Sequence, residues 1–247
     1  MASPFTPAVA LRGEHTGGAI SVMDNAVPAR WGGPPLHHHE FDETFYVLDG
    51  ELTFQVGDEL YTAGPGALAF APGGVVHTFA NLGGAPARYL LLCTPAGFEG
   101  YFARLAAEAA GEDPPAWALA PTPPVTTVGG QIGERDDVAA ATPIAPAGGP
   151  LSVLVGSEQS DGRIAVMENR LAAATAGPRL RYDDLDQLFW VLDGELAFQL
   201  GEERVVRRAG EMVFARRGVH HSFANEGDDE ARTLIVCTPA GAAGGGS

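Results

Sequence analysis

The chain repeats itself. Pro7–Gly97 aligns without a gap on Leu151–Gly241 at a constant offset of 144 residues, and about 41 of the 91 positions are identical. Val22-Met-Asp-Asn25 returns as Val166-Met-Glu-Asn169, Phe45-Tyr-Val-Leu-Asp-Gly-Glu-Leu52 as Phe189-Trp-Val-Leu-Asp-Gly-Glu-Leu196, and Cys93-Thr-Pro-Ala-Gly97 as Cys237-Thr-Pro-Ala-Gly241. A chain of 247 residues is long enough for two domains of about 100 residues each. Both copies are filled with short β-prone runs punctuated by Gly, Pro and Asp-Gly. Asp49-Gly50 and Asp193-Gly194 sit between apolar runs and read as hairpin turns. The repeat therefore predicts two small antiparallel β-domains built alike.

The copies differ where chemistry would sit. In the stretch from Leu36 to Gly50 alternate side chains of a strand share a face, so His37 and His39 point one way and His38 the other. Glu43 has the same parity and stays with them if no bulge intervenes. His77 follows a Pro72-Gly-Gly74 turn. Three neutral imidazoles and a carboxylate on rigid strands suit a divalent transition metal with coordination positions left open. In the second copy His37 becomes Arg181, His39 becomes Asp183 and Glu43 becomes Gln187, and His77 alone persists, as His221. A guanidinium stays protonated and has no lone pair to offer a metal. The second copy reads as a barrel without metal, with three roles open to it: a purely structural one, a pocket with Arg181 and Asp183 as an internal ion pair, or a weak site on Asp183 and His221.

At these residues the chain resembles the cupin superfamily. Its first motif, H-x-H-x3-E-x6-G, is matched by His37, His39, Glu43 and Gly50, and its second, G-x5-P-x-G-x2-H-x3-N, by Gly66, Pro72, Gly74, His77 and Asn81. One departure is Trp31, at a position six residues before the first His where the family usually has glycine. The resemblance implies an all-β fold of two tandem cupin barrels (double-stranded β-helix, jelly roll). It places an N-terminal barrel at 1–97, a helix and Pro-rich linker at 98–150, and a degenerate C-terminal barrel at 151–241. It implies His37, His39, Glu43 and His77 as ligands of one divalent transition metal per chain, whether Fe(II), Mn, Ni, Cu or Zn. The chain most resembles bicupins of the quercetin dioxygenase-like kind, which implies a dioxygenase acting with O2 on a small, largely apolar, oxygen-bearing molecule. Glu43 is the candidate catalytic residue, able to serve as a general base. The alternatives are a redox-neutral isomerase, cyclase or lyase using the metal as a Lewis acid, and a non-catalytic binding protein. Oxalate-type decarboxylation ranks lower, because bicupins of that kind usually keep ligands in both halves.

Phe45, Phe54, Phe70 and Phe79 are candidates for lining the substrate pocket, and Phe79, sharing strand parity with His77, is the best placed. Phe98 to Ala110 changes period: Phe98, Tyr101, Phe102, Leu105 and Ala109 fall on one face of a helix, which either packs on a barrel or covers the metal mouth. Gly111–Pro150 is a Pro-rich linker in which Ile132–Ala141 suits a short helix.

Bulk properties narrow the functions. Net charge of −16 argues against nucleic acid and anionic membranes. The N-terminus carries no signal-peptide pattern, and no run approaches the roughly 20 apolar residues of a membrane span. All 15 basic residues are arginine, which rules out lysine Schiff-base chemistry. Cys93 and Cys237 occupy equivalent apolar strands and read as buried, unpaired thiols, in keeping with a reducing cytoplasm. A small-molecule substrate is the expected partner, and a homodimer is compatible with the fold.

Overall fold

The computed structural model of the chain describes residues 6–132, 139–178 and 184–241. The chain divides into two compact units, Met1–Ala145 and Pro146–Ser247.

The first unit runs β1 (Thr6–Leu11), α1 (Gly13–Thr16), β2 (Ser21–Val27), β3 (His37–His38), β4 (Asp42–Asp49), β5 (Leu52–Val56), β6 (Glu59–Ala63), β7 (Leu68–Ala71), β8 (His77–Ala80) and β9 (Ala87–Thr94). Helix α2 (Glu99–Ala110), a 3-10 turn at Ala116–Leu119 and two short strands, β10 (Thr126–Thr127) and β11 (Ala139–Ala140), follow. Two sheets result, one ordered β1-β2-β9-β4-β7 and the other β10-β3-β8-β5-β6-β11. Their inward faces meet in a core that includes Met23, Phe45, Val47, Phe54, Phe79, Tyr89 and Leu91. The alternation behind this is visible in β4, where Phe45 and Val47 face the core with Glu43, one pleat apart each. Burying each aromatic ring of such a core contributes about 2–3 kcal/mol.

The second unit repeats the plan with β12 (Leu151–Val155), β13 (Ala165–Leu171), β14 (Thr175–Ala176), β15 (Asp186–Asp193), β16 (Glu195–Leu200), β17 (Glu203–Arg208), β18 (Met212–Ala215), β19 (His221–Asn225) and β20 (Ala231–Thr238). Its sheets are β12-β13-β20-β15-β18 and β14-β19-β16-β17. Register irregularities recur at the 144-residue offset: Val47/Asp49 against Val191/Asp193, and Val9/Leu11 against Val153/Val155. Two tandem jelly rolls with little helix are thus what the repeat predicts.

Three local features depart from the sequence reading. The stretch from His37 to Asp49 is not one strand: β3 belongs to the six-stranded sheet and β4 to the five-stranded one, and the chain crosses between them at 39–41. The segment 98–145 falls in the first unit, where β10 pairs with β3 and β11 runs parallel to β6, so the linker caps both edges of that sheet. The short helix expected over Ile132–Ala141 is replaced at its end by strand β11, because the edge of β6 offers backbone partners that an isolated turn lacks; its middle, 133–138, lies outside the described residues, as do Arg181 and Asp183 with their expected ion pair.

Candidate metal centre

His37, His39, Glu43 and His77 converge, with one ligand atom from each lying within 4.8 Å of all the others. The fold assembles them through backbone pairing. His37 in β3 stands directly opposite His77, the first residue of β8. Glu43 comes from the facing sheet, opposite Ala71 and Cys93. The crossing that carries His39 is tied to the turn that precedes His77: Gly74 N–H donates to His39 O (2.6 Å) and Gly73 N–H to Asp42 Oδ1 (2.8 Å). Gly73 has no room for a side chain there, since a Cβ would stand 2.5 Å from Glu40 O. Asp42 escaped the motif reading. Its signal was retention, as Asp186, in a copy that lost three of its four ligands; Asp186 Oδ1 accepts the equivalent bond from Arg217 N–H at 2.8 Å.

The tautomers follow from the hydrogen bonds. His37 Nδ1–H donates to Pro35 O (2.7 Å), His39 Nδ1–H to Phe41 O (2.8 Å) and His77 Nδ1–H to Val75 O (2.8 Å). A carbonyl only accepts, so each Nδ1 carries the proton and each neutral ring offers its Nε2 lone pair. His77 Nε2 then lies 3.1 Å from Glu43 Oε2, and His39 Nε2 3.5 Å from the same oxygen. Lone pairs facing a carboxylate at that distance require a cation among them. His39 Nε2 is buried without a hydrogen-bond partner, at an expense of about 1–3 kcal/mol that a ligated cation removes. The donor set therefore fits one divalent metal ion. His39, Glu43 and His77 are buried and His37 is half-buried.

A proton can also bridge the pair. Burial opposes the charge of Glu43, but the adjacent His39 and His77 imidazoles outweigh it and hold the carboxyl down at about 2. Burial likewise opposes charge on His77, and the bond and charge of Glu43 outweigh it, so this imidazole titrates above its ordinary 6.5. Burial and the neighbouring His77 lower His37. In the metal-free chain the lowered carboxyl contributes stability that is present above its ordinary 4.5 and lost as pH falls toward 2. The raised imidazole contributes stability that is full below 6.5 and lost as pH rises through its folded value. The lowered His37 acts in the opposite sense, contributing stability that is present above 6.5 and lost as pH falls. Metal uptake should expel the His77 proton. Calorimetric titration in two buffers of different ionisation heat should show net proton release that grows as pH falls from 8 toward 6.5. No release would contradict this account.

Above the four residues opens a cavity of about 650 Å³. His37 and Glu43 reach it, with Trp31, Phe79 and Leu91 from the barrel, Phe98, Tyr101, Phe102 and Leu105 at helix α2, and Thr122–Val125 and Thr127 from the linker. Of the four expected pocket residues, Phe79 lines it. Phe45 and Phe54 do not; they fill the barrel beneath, with ring centroids 5.3 Å apart. Phe70 does not either: it pairs with Thr44, on the face of the sheet opposite Glu43. The helix and linker wall was legible only as an amphipathic stripe, and the structure gives it both of its alternative roles. Phe102 and Ala103 bury against the barrel while Tyr101 and Leu105 face the cavity. Glu99 fixes the start of that wall, accepting Gly13 N–H (2.8 Å) and Gly97 N–H (2.7 Å).

In the second unit His221 keeps its Nδ1–H bond to Val219 O (2.9 Å), and its Nε2 meets the Gln187 side chain. Gln187 Oε1 faces the ring while its Nε2 donates to Cys237 Sγ (3.5 Å); the amide is uncharged and, flipped about its last bond, can present an N–H to the ring, so no cation is demanded there. Among the described residues only the first unit gathers three or more potential metal ligands. Cys93 and Cys237 are buried and neither forms a disulfide; burial, with the charges of Glu43 and Glu99, pushes the Cys93 thiol well up.

Fold and site define a class: two jelly-roll barrels in tandem, one of them with a candidate mononuclear metal centre. The chain belongs to the cupin family. The Cupin domain matches residues 26–93 and again 170–237, the same 144-residue offset as the internal repeat. No curated protein matches the chain in sequence. Among solved structures, oxalate decarboxylase from Bacillus subtilis at pH 4.6 is similar at 15% identity over 90% of this chain and 69% of that one, with a TM-score of 0.60. The formate complex of the Lactobacillus farciminis oxalate decarboxylase is similar at 14% identity over 95% of this chain and 81% of that one, with a TM-score of 0.65. At these identities the likeness is one of fold.

Proposed function

We propose that this cupin is a metal-dependent enzyme, a dioxygenase acting on a small, largely apolar molecule that presents an oxygen to the metal. The observation that carries this reading is that His37 and Glu43 reach a largely apolar cavity. His37, His39, Glu43 and His77 would hold the metal, and a bound metal would supply Lewis acidity and, if redox-active, reactivity toward O2. The chain's own residues do the rest. Trp31, Phe79, Phe98 and Phe102 exclude water and hold an apolar body. The Nδ1–H bonds fix the imidazole planes. Glu43 is ionised at neutral pH, as a proton acceptor must be, but a carboxyl held near 2 is a weak base. It suits only an acidic donor such as an enol or phenol.

A second reading, a redox-neutral lyase, is favoured by the likeness to oxalate decarboxylases. Full-length protein loaded with Fe(II) or Mn(II) under nitrogen, then supplied with air and a panel of enols, catechols and 1,3-diketones, separates the two. The dioxygenase reading expects one O2 consumed per substrate lost. Turnover that proceeds equally without O2 selects the lyase, and binding without turnover leaves a binding protein. Elemental analysis should give one transition metal per chain; two equivalents would contradict the loss of ligands in the second copy. No described helix is long and apolar enough to cross a membrane, and we assign the protein to a reducing cytoplasm on its two buried thiols, neither of them in a disulfide.

A further inference from the structure

We propose that the cavity over the metal centre is built for one planar ring, neutral or singly anionic, that ligates through an oxygen at its edge, and that the wall formed by α2 and the linker sets this preference. The inference rests on the metal-centre reading above and deepens it.

The first argument is charge. Three neutral imidazoles, one carboxylate and a divalent cation sum to a single positive charge. A ligand that binds as a monoanion, such as an enol or phenol that has lost one proton, brings the buried site to neutrality. A dianion leaves it one negative charge in excess, which in a low-dielectric cavity needs a cation in the wall. Among the described residues the wall offers none: the chain lacks lysine, and no described arginine lines the cavity. Arg104, on α2, is turned to Ala118 O and Thr122 Oγ1.

The second argument is shape. About 650 Å³ far exceeds what a four-oxygen dianion fills, and an unfilled apolar cavity forgoes contact energy. Its walls offer aromatic faces from two separate elements. Trp31 packs on Phe79 at 5.3 Å on the barrel side, and Phe98 stacks on Tyr101 at 5.1 Å and 14° on the helix side. Phe98 also lies 6.3 Å from the His39 ring, so the helix wall begins beside the metal ligands. Tyr101, 40% exposed, stands at the mouth, where its ring can cover a bound ligand.

The test uses the whole chain loaded with Co(II) under nitrogen, whose visible spectrum reports both metal loading and ligand binding without turnover. Three probes are titrated: 4-nitrocatechol (a planar monoanion), acetohydroxamate (a small monoanion without a ring) and oxalate (a small dianion). The expected order is 4-nitrocatechol at least tenfold tighter than acetohydroxamate, with oxalate weakest. Tyr101→Ala should weaken 4-nitrocatechol about tenfold and leave acetohydroxamate unchanged. Leu105→Arg, which adds the missing cation, should strengthen oxalate about tenfold. Cobalt loading in each variant reports that the site has folded. Oxalate binding as tightly as 4-nitrocatechol, or a Tyr101→Ala change equal for all probes, would overturn the inference while leaving the metal centre intact. Failure of the wild-type chain to take up cobalt would instead overturn the metal-centre reading, and this inference with it.

Discussion

Glu43→Gln should fold, bind its metal about tenfold more weakly or worse, and lose two or more orders of magnitude in turnover. Amide and carboxylate are nearly the same size, and the second unit already carries this pair: Gln187 meets His221 in a buried, hydrogen-bonded contact. The substituted side chain therefore has a precedent for satisfying His77 without any cation. What it removes is the negative charge that demands one. Outer partners of metal ligands alone are worth about 10–100-fold in affinity or activity, so loss of a direct ligand should cost at least that. If Glu43 also accepts the substrate proton, the amide loses a further 10²–10⁴-fold or thereabouts in rate. The reverse change, Gln187→Glu, should create no site, because Arg181 and Asp183 stand where two imidazoles would be needed. Metal analysis and steady-state assay of both variants check this; full metal content and full activity in Glu43→Gln would remove Glu43 from the centre.

The largest effect on stability is expected at Gly33. Its φ of +76° is a left-handed conformation, and a Cβ there would stand 1.7 Å from Phe79 O, inside the strand that begins with His77. Gly33→Ala must push β8 away from the chain segment that leads into His37. The left-handed conformation alone costs about 1–2 kcal/mol for a residue with a Cβ, and displaced backbone typically adds about 1–3 kcal/mol. We expect a fall in unfolding free energy of about 3 kcal/mol or more, accompanied by loss of metal affinity, since Phe79 and His77 share the displaced strand. Chemical denaturation of the metal-free chain measures the first and calorimetric titration the second. A variant as stable as the wild type would mean that β8 is not held as described.

Much of this was legible in the sequence, for identifiable reasons. The repeat made two like domains unavoidable, and a strand period of two put His37, His39 and Glu43 together on one side. The four residues do converge, but by a longer route than parity supposed: the chain leaves one sheet after His38 and enters the other at Asp42. Convergence survived because the crossing is pinned to the Pro72–Gly74 turn by Asp42 and by His39 O. Parity also fails to give depth. Phe45 and Phe54 share the inward face but sit further into the barrel, where they pack on each other and on Phe79. Phe70 was misassigned by register, because its partner Thr44 is one residue from Glu43 and so points to the other face. The sequence leaves helix α2 between packing on a barrel and covering the metal mouth, and does not foresee the linker's share of the wall, since both depend on tertiary docking. Local pattern shows that Tyr101 and Leu105 share a helix face and says nothing of what that face covers. Trp31, the one departure from the motif, proved to be part of that cavity.

The measurement that bears most directly on the central claim is anomalous diffraction from crystals of the metal-loaded chain, recorded on both sides of the metal's absorption edge. The account predicts a single peak per chain within bonding distance of His37 Nε2, His39 Nε2, His77 Nε2 and a Glu43 carboxylate oxygen. A peak beside His221, a second peak of equal height, or a metal bound away from these four residues would contradict it.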